Sequence, residues 1–192
     1  FPYVKMKENQ MSVGNLHKGI SCHHCRDSEI DGNNIKAIAS DLLLDRRFYG
    51  IQSTNSSNMK ITNNTIVGSN AHEDKMGIAA TSETGTDLNL SFNTVKNKDM
   101  GPVDLPIYVR GYKSVIVEGN KIENIKNSHA MIIGNCADTQ IGEAIVRNNS
   151  FNLPNLVGTI FKPIILRKML LKNNVKENTL LPTDLQIVET QC

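Results

Sequence analysis

The chain has 192 residues, 39% of them hydrophobic and 21% charged, enough for one domain with a real core and too apolar for a disordered tail. No run approaches the roughly 18 consecutive apolar residues of a membrane-spanning helix, which excludes such a span. A net charge of +2, from 21 basic and 19 acidic residues, gives no general electrostatic grip on nucleic acid. Aromatics are 5% with no Trp, which argues against a surface built on stacked rings. The chain opens Phe1-Pro2-Tyr3 with neither an initiator Met nor a signal-peptide pattern, so the expectation is a mature or processed piece of something longer.

In chain order, one six-residue pattern recurs: apolar, two variable residues, Asn, one variable residue, apolar. It reads Met6-Asn9-Met11, Ile30-Asn33-Ile35, Ile61-Asn64-Ile66, Leu90-Asn93-Val95, Val117-Asn120-Ile122, Val146-Asn149-Phe151 and Val175-Asn178-Leu180. The leading apolar residues are 24, 31, 29, 27, 29 and 29 positions apart. No copy carries the three- and four-residue apolar spacing of a helix. Short alternating segments such as Met59-Lys60-Ile61, Leu88-Asn89-Leu90 and Val115-Ile116-Val117 read as strands, and a second strand begins at each trailing apolar residue. A further strand opens each coil: Gly19–Cys22, Gly50–Ser53, Gly77–Ala80, Ile107–Val109 and Met131–Ile133. The expected fold is therefore all-β, a parallel β-helix of about seven coils with three short strands per coil, filling residues 1–192 as a single domain.

The repeated Asn has a physical reason. At a bend it tolerates the left-handed backbone conformation, and its amide can donate to the Asn of the next coil, making a ladder along the stack. The leading residues Ile30, Ile61, Leu90, Val117, Val146 and Val175 should form one buried column. Both ends look uncapped, so further segments of a longer chain, or neighbouring subunits as in a homotrimer, are expected to cover them.

Cys22-His23-His24-Cys25 has the spacing of zinc and redox sites, but two adjacent histidines on one strand make a poor tetrahedral ligand set. Cys25 and Cys136 fall in one column four coils apart, at about 4.8 Å per coil beyond disulfide reach. Cys22 and Cys25 on one extended segment are also poorly placed to bridge. Free thiols are expected at all three.

Units such as Ile61-Thr62-Asn63-Asn64-Thr65-Ile66 make the chain resemble the right-handed parallel β-helix, or pectate-lyase-like, superfamily. The resemblance covers nearly the whole length. It implies a polysaccharide ligand and an extracellular or virion-surface setting, because members include polysaccharide lyases, polygalacturonase-type hydrolases, sugar epimerases and phage tailspikes.

The connections 37–49, 68–76, 96–106, 126–130 and 152–163 vary most in length, which marks a functional edge. Asp74 stands four residues before Ile78, Asp104 three before Ile107 and His129 two before Met131, in the opening strands of successive coils. Two neighbouring carboxylates push each other's pKa values apart, so that one donates and one accepts in glycoside hydrolysis, with His129 orienting or shuttling a proton. These three are the candidate catalytic residues. Arg47, Arg110 and Lys113 are the candidate substrate-binding residues, pairing with sugar carboxylates. The order loosely resembles the polygalacturonase-type hydrolases, although Glu73-Asp74-Lys75 replaces Asn-Thr-Asp, Asp104 has no paired Asp, and Ser128-His129-Ala130 replaces Gly-His-Gly.

The hydrolase needs no metal or cofactor. A lyase would use Arg110 and Lys113 as base and charge neutraliser, and would add calcium, for which Glu83 and Asp87 on a longer turn offer only two carboxylates against six or more oxygens. The alternative function is a non-catalytic glycan-binding or structural solenoid, such as a tailspike shaft. The sequons at Asn55, Asn63, Asn89 and Asn148 follow from Asn-rich turns, and His72-Glu73-Asp74 and Arg46-Arg47 read as solvated loop charges.

Overall fold

The computed structural model describes residues 3–13, 17–38, 48–68, 75–97, 105–124, 129–134, 143–152, 163–167, 172–181 and 188–191. Every regular element among them is a strand. Neighbouring strands pair in parallel, within a 12-stranded and a 7-stranded sheet. The protein is an all-β parallel β-solenoid. Asp74, Asp104, Arg47 and Cys136 lie outside the described residues.

The leading apolar residues form the expected column. Met6 pairs with Ile30, Ile30 with Ile61, Ile61 with Leu90, Leu90 with Val117, Val117 with Val146 and Val146 with Val175. From Ile30 to Val146 these side chains are buried, each contributing roughly 1.5–3 kcal/mol by leaving water. The trailing residues Ile35, Ile66, Val95, Ile122 and Phe151 make a second buried column in the 7-stranded sheet. Within each strand the side chains alternate. In Ser57–Thr62, Met59 and Ile61 face the core while Lys60 is exposed.

Between the two columns runs the Asn ladder. Asn9 donates through Nδ2 to Oδ1 of Asn33 at 2.8 Å, and the link repeats from Asn33 to Asn64, Asn93, Asn120, Asn149 and Asn178 at 2.9 to 3.0 Å. Each acceptor oxygen also takes the donating residue's backbone N–H. The same amides donate to main-chain carbonyls of the preceding coil, as Asn93 does to Ile61 at 2.8 Å. A buried Asn is affordable here because its hydrogen-bonding capacity is used.

Three expectations are corrected. The left-handed residue at the bend is not the ladder Asn but the one before it: Glu8, Gly32, Asn63, Phe92, Gly119, Asn148 and Glu177 all have φ between 55° and 66°. That residue turns the chain, and the Asn is thereby delivered inward.

Three separate strands per coil is too uniform. Four coils are described without a break, 17–38, 48–68, 75–97 and 105–124. In the first two, left-handed residues His24 and Asn55 split the opening strand from the next. In the other two the pair is fused into the single strands Lys75–Ser91 and Leu105–Glu118.

Cys22 and Cys25 are not free thiols but a disulfide. The left-handed His24 ends the extended segment, so both cysteines turn inward with their Cα atoms 6.0 Å apart, inside the range a disulfide spans.

Outward columns carry charge pairs. Lys7 reaches Glu29 at 3.0 Å and Asp31 at 3.5 Å, and Arg147 reaches Glu118 at 3.0 Å. Asn63 and Thr62 donate to Asp31 and, with Lys7, hold its carboxyl below the usual range. Arg147 does the same for Glu118. Because both folded-state values are depressed, the native state binds fewer protons than the unfolded chain in acid. Their contribution is whole above the unfolded carboxylate values, ~4, and is lost as pH falls through the folded ones. The urea midpoint should therefore drop between pH 7 and pH 3, and the double variant Asp31→Asn/Glu118→Gln should show a smaller drop. An equal drop in both proteins would contradict this.

Candidate functional site

The corner that follows each opening strand differs in length from coil to coil, and this builds a groove. Between the paired residues Thr54 and Thr81, and the paired residues Met59 and Leu88, one chain has four residues and the other six. On the other side, Thr81 pairs with Arg110 and Gly85 with Tyr112, so Ser82, Glu83 and Thr84 stand opposite the single residue Gly111. The longer segment bulges outward and forms one wall.

The groove, about 570 Å³, is lined by His24, Cys25, Arg26 and Asp27 from one coil, Asn55, Ser57 and Asn58 from the next, and Glu83, Thr84, Thr86 and Asp87 from the third. Two left-handed residues in each of the first two corners, His24 with Asp27 and Asn55 with Asn58 (φ 50–52°), aim polar side chains outward. Asn58 donates to Asp27 across coils at 2.6 Å, and the Ser57 and Thr86 hydroxyls bond at 2.9 Å. Three carboxylates, Asp27, Glu83 and Asp87, share the groove with one guanidinium. The arrangement offers amide, hydroxyl, carboxylate and imidazole groups at one mouth, suited to a polyhydroxylated ligand. Among the described residues, no three or more His, Cys, Asp or Glu side chains gather closely enough to hold an ion.

Only some of the sequence-derived residues can be placed. Arg110 is half-buried and continues the outward column His23, Thr54, Thr81, one coil beyond the groove. Lys113 is exposed and falls between the Tyr112–Gly85 and Ser114–Asp87 pairs, opposite the groove residue Thr86. His129 is half-buried and precedes Met131–Ile133, which pairs with Ile107–Val109. It therefore sits level with Leu105, five residues and about 17 Å along the strand direction from Arg110. His129 and Arg110 are at opposite edges of the opening sheet. With Asp74, Asp104 and Arg47 outside the described residues, the hydrolytic set is not assembled among those described.

The groove residues Asp27 and Asn58 carry no motif in the sequence, and Asn55 stands out there only as a sequon. One signal does point to them: Cys22-His23-His24-Cys25-Arg26-Asp27 aligns residue for residue with Ser53-Thr54-Asn55-Ser56-Ser57-Asn58 in the next coil. Phe92 was also missed. It is 58% exposed and holds a left-handed φ of 58°, a conformation bulky side chains rarely take. Its ring lies over Gly119, where an added Cβ would meet ring carbons at 2.5 Å.

Comparison with known protein families, curated proteins and solved structures finds no match to this chain.

Proposed function

We propose that this chain is a carbohydrate-binding right-handed β-helix of the pectate-lyase-like type, and that its polysaccharide lies in the corner groove. The observation that carries the reading is the groove itself, whose volume is typical of a ligand site and whose walls come from three successive coils. A winding of about seven coils is supported by the 7-stranded sheet, in which neighbouring strands are one repeat of 24 to 31 residues apart. The right hand follows from the preference of parallel crossovers. The Cys22–Cys25 disulfide supports an oxidising setting, such as the extracellular space or a virion surface.

Binding without cleavage is the first reading, as in a tailspike shaft. Cleavage is the second, favoured by three carboxylates around one groove. A glycan array followed by a reducing-end assay on the hits separates them. Asp27→Ala and Asn58→Ala should each weaken binding about tenfold, the loss of one or two hydrogen bonds to sugar, with the unfolding midpoint nearly unchanged. Unaltered affinity in both variants would move the ligand out of the groove. If new reducing ends or unsaturated products form, Asp74→Asn and Asp104→Asn test the dyad: full activity in either variant would dispose of it.

A further inference from the structure

The disulfide closes a corner that the next coil closes without one. Ser53 pairs in register with Cys22, and Ser57 with Arg26, so Ser56 takes the place of Cys25. The backbone is the same at both corners: φ is 52° at His24 and 51° at Asn55, and 51° at Asp27 and 50° at Asn58. All four equivalent side chains, Cys22, Cys25, Ser53 and Ser56, are buried. Where one corner has a covalent bond, the other has a Ser56 hydroxyl donating to the Thr54 carbonyl at 3.1 Å. The two corners are stitched together by the Cys25 N–H donating to Ser56 Oγ at 3.1 Å and the His24 N–H donating to the Thr54 carbonyl at 2.9 Å. The local fold thus reaches this shape from Ser-Thr-Asn-Ser, and the sulfur–sulfur bond is not what forms the corner. The bond also encloses only two residues, and a crosslink across so short a loop restricts the unfolded chain far less than one across a long loop.

Cys22 and Cys25 are buried, but Cys25 lines the groove between the exposed residues His24 and Arg26. A local opening of this one corner therefore brings its sulfur to solvent, and the neighbouring Arg26 guanidinium favours a thiolate. We infer that Cys22–Cys25 is a redox-active pair that exchanges with a low-molecular-weight thiol through the groove while the solenoid stays folded. This stands whether or not the groove takes sugar. A thiolate attacks Cys25 Sγ, the Cys22–Cys25 bond breaks, and Cys22 leaves as a thiolate and takes a proton. A second small thiol then attacks the small-thiol sulfur of the mixed disulfide and releases Cys25. Two small thiols become one disulfide, and the protein pair gains two electrons and two protons.

The test equilibrates the full chain at pH 7 with glutathione buffers of graded reduced-to-oxidised ratio. Alkylation and peptide mapping then score Cys22 and Cys25 apart from Cys136 and Cys192. Both cysteines should pass together and reversibly from protected to alkylated within the buffer series, since structural disulfides resist a glutathione pool. The far-UV spectrum should persist, and the thermal midpoint should shift by less than about 5 °C. Alkylation only in denaturant, or together with loss of the β-sheet signal, overturns the inference. The double variant Cys22→Ser/Cys25→Ser, which copies Ser53 and Ser56, should remain folded. If it does not, the bond is structural and the inference fails.

Discussion

Asn93→Ala should be severely destabilising, costing roughly 3 kcal/mol, as should truncation of the equally buried Asn64 and Asn120. Asn93 Oδ1 accepts the Asn64 backbone N–H at 3.0 Å and the Asn64 amide at 2.9 Å. Truncation leaves that backbone N–H without its acceptor in a fully buried setting, while the Asn64 amide keeps the carbonyls of Ile30 and Thr62. An unsatisfied buried donor costs about 1–3 kcal/mol, and the void left by the amide adds to it. Asn93→Asp should be worse still. It keeps an acceptor toward Asn64 but turns a second carboxylate oxygen on the Ile61 carbonyl and on Asn120 Oδ1, where Asn93 now donates, so a charge would be buried against two acceptors. At the exposed end of the ladder, Asn9→Ala should cost less than about 1 kcal/mol, since water replaces what is lost. Urea midpoints of the three variants give the order. Equal losses at Asn9 and Asn93 would mean that the ladder adds nothing beyond its surroundings.

The same ladder explains what was legible in the sequence. A solenoid position is satisfied by its own equivalents above and below, so Ile30, Ile61 and Leu90, or Asn64, Asn93 and Asn120, must be alike, and the likeness survives as a visible period. Corner residues obey no such rule. His24 stands over Asn55, and Asp27 over Asn58, sharing a left-handed backbone rather than a side-chain type. The insertion around Glu83 then breaks the register, so the groove leaves almost no periodic trace. The disulfide is hidden in the sequence for the same reason: a uniform strand through Cys22 and Cys25 would keep the sulfurs apart, and one positive φ at His24 brings them together. The hydrolytic set was sought in the loops before the opening strands, whereas the groove follows those strands. Of that set, the structure describes only His129 and Arg110 with Lys113, and His129 lies at the far sheet edge from the two basic residues.

The groove wall rests on a glycine, and Gly111→Ala should remove about 2–4 kcal/mol of stability. Gly111 has φ 75° and is the single residue facing the three-residue bulge at Ser82–Thr84. A Cβ there would sit inside the van der Waals shell of the Ser82 carbonyl oxygen, so the main chain of one coil must shift. Ser82 has little room to give, because Tyr112 fills the neighbouring interior: its ring packs on Gly85, where a Cβ would come within 2.6 Å of Cδ1. Burial there is deep enough to push the Tyr112 phenol up to about 12. Gly32 supplies the comparison. Its φ is 66°, but an added Cβ would meet nothing nearer than the Glu8 side chain at 3.4 Å. Gly32→Ala therefore bears only the left-handed strain of an L-residue, roughly 1–2 kcal/mol, whereas Gly111→Ala adds a backbone collision. Denaturation midpoints should separate the two variants by at least about 1 kcal/mol on this account, and equal midpoints would show that the bulge moves aside freely. Because Glu83 and Thr84 ride on that bulge, binding of the proposed polysaccharide should weaken in Gly111→Ala and be retained in Gly32→Ala.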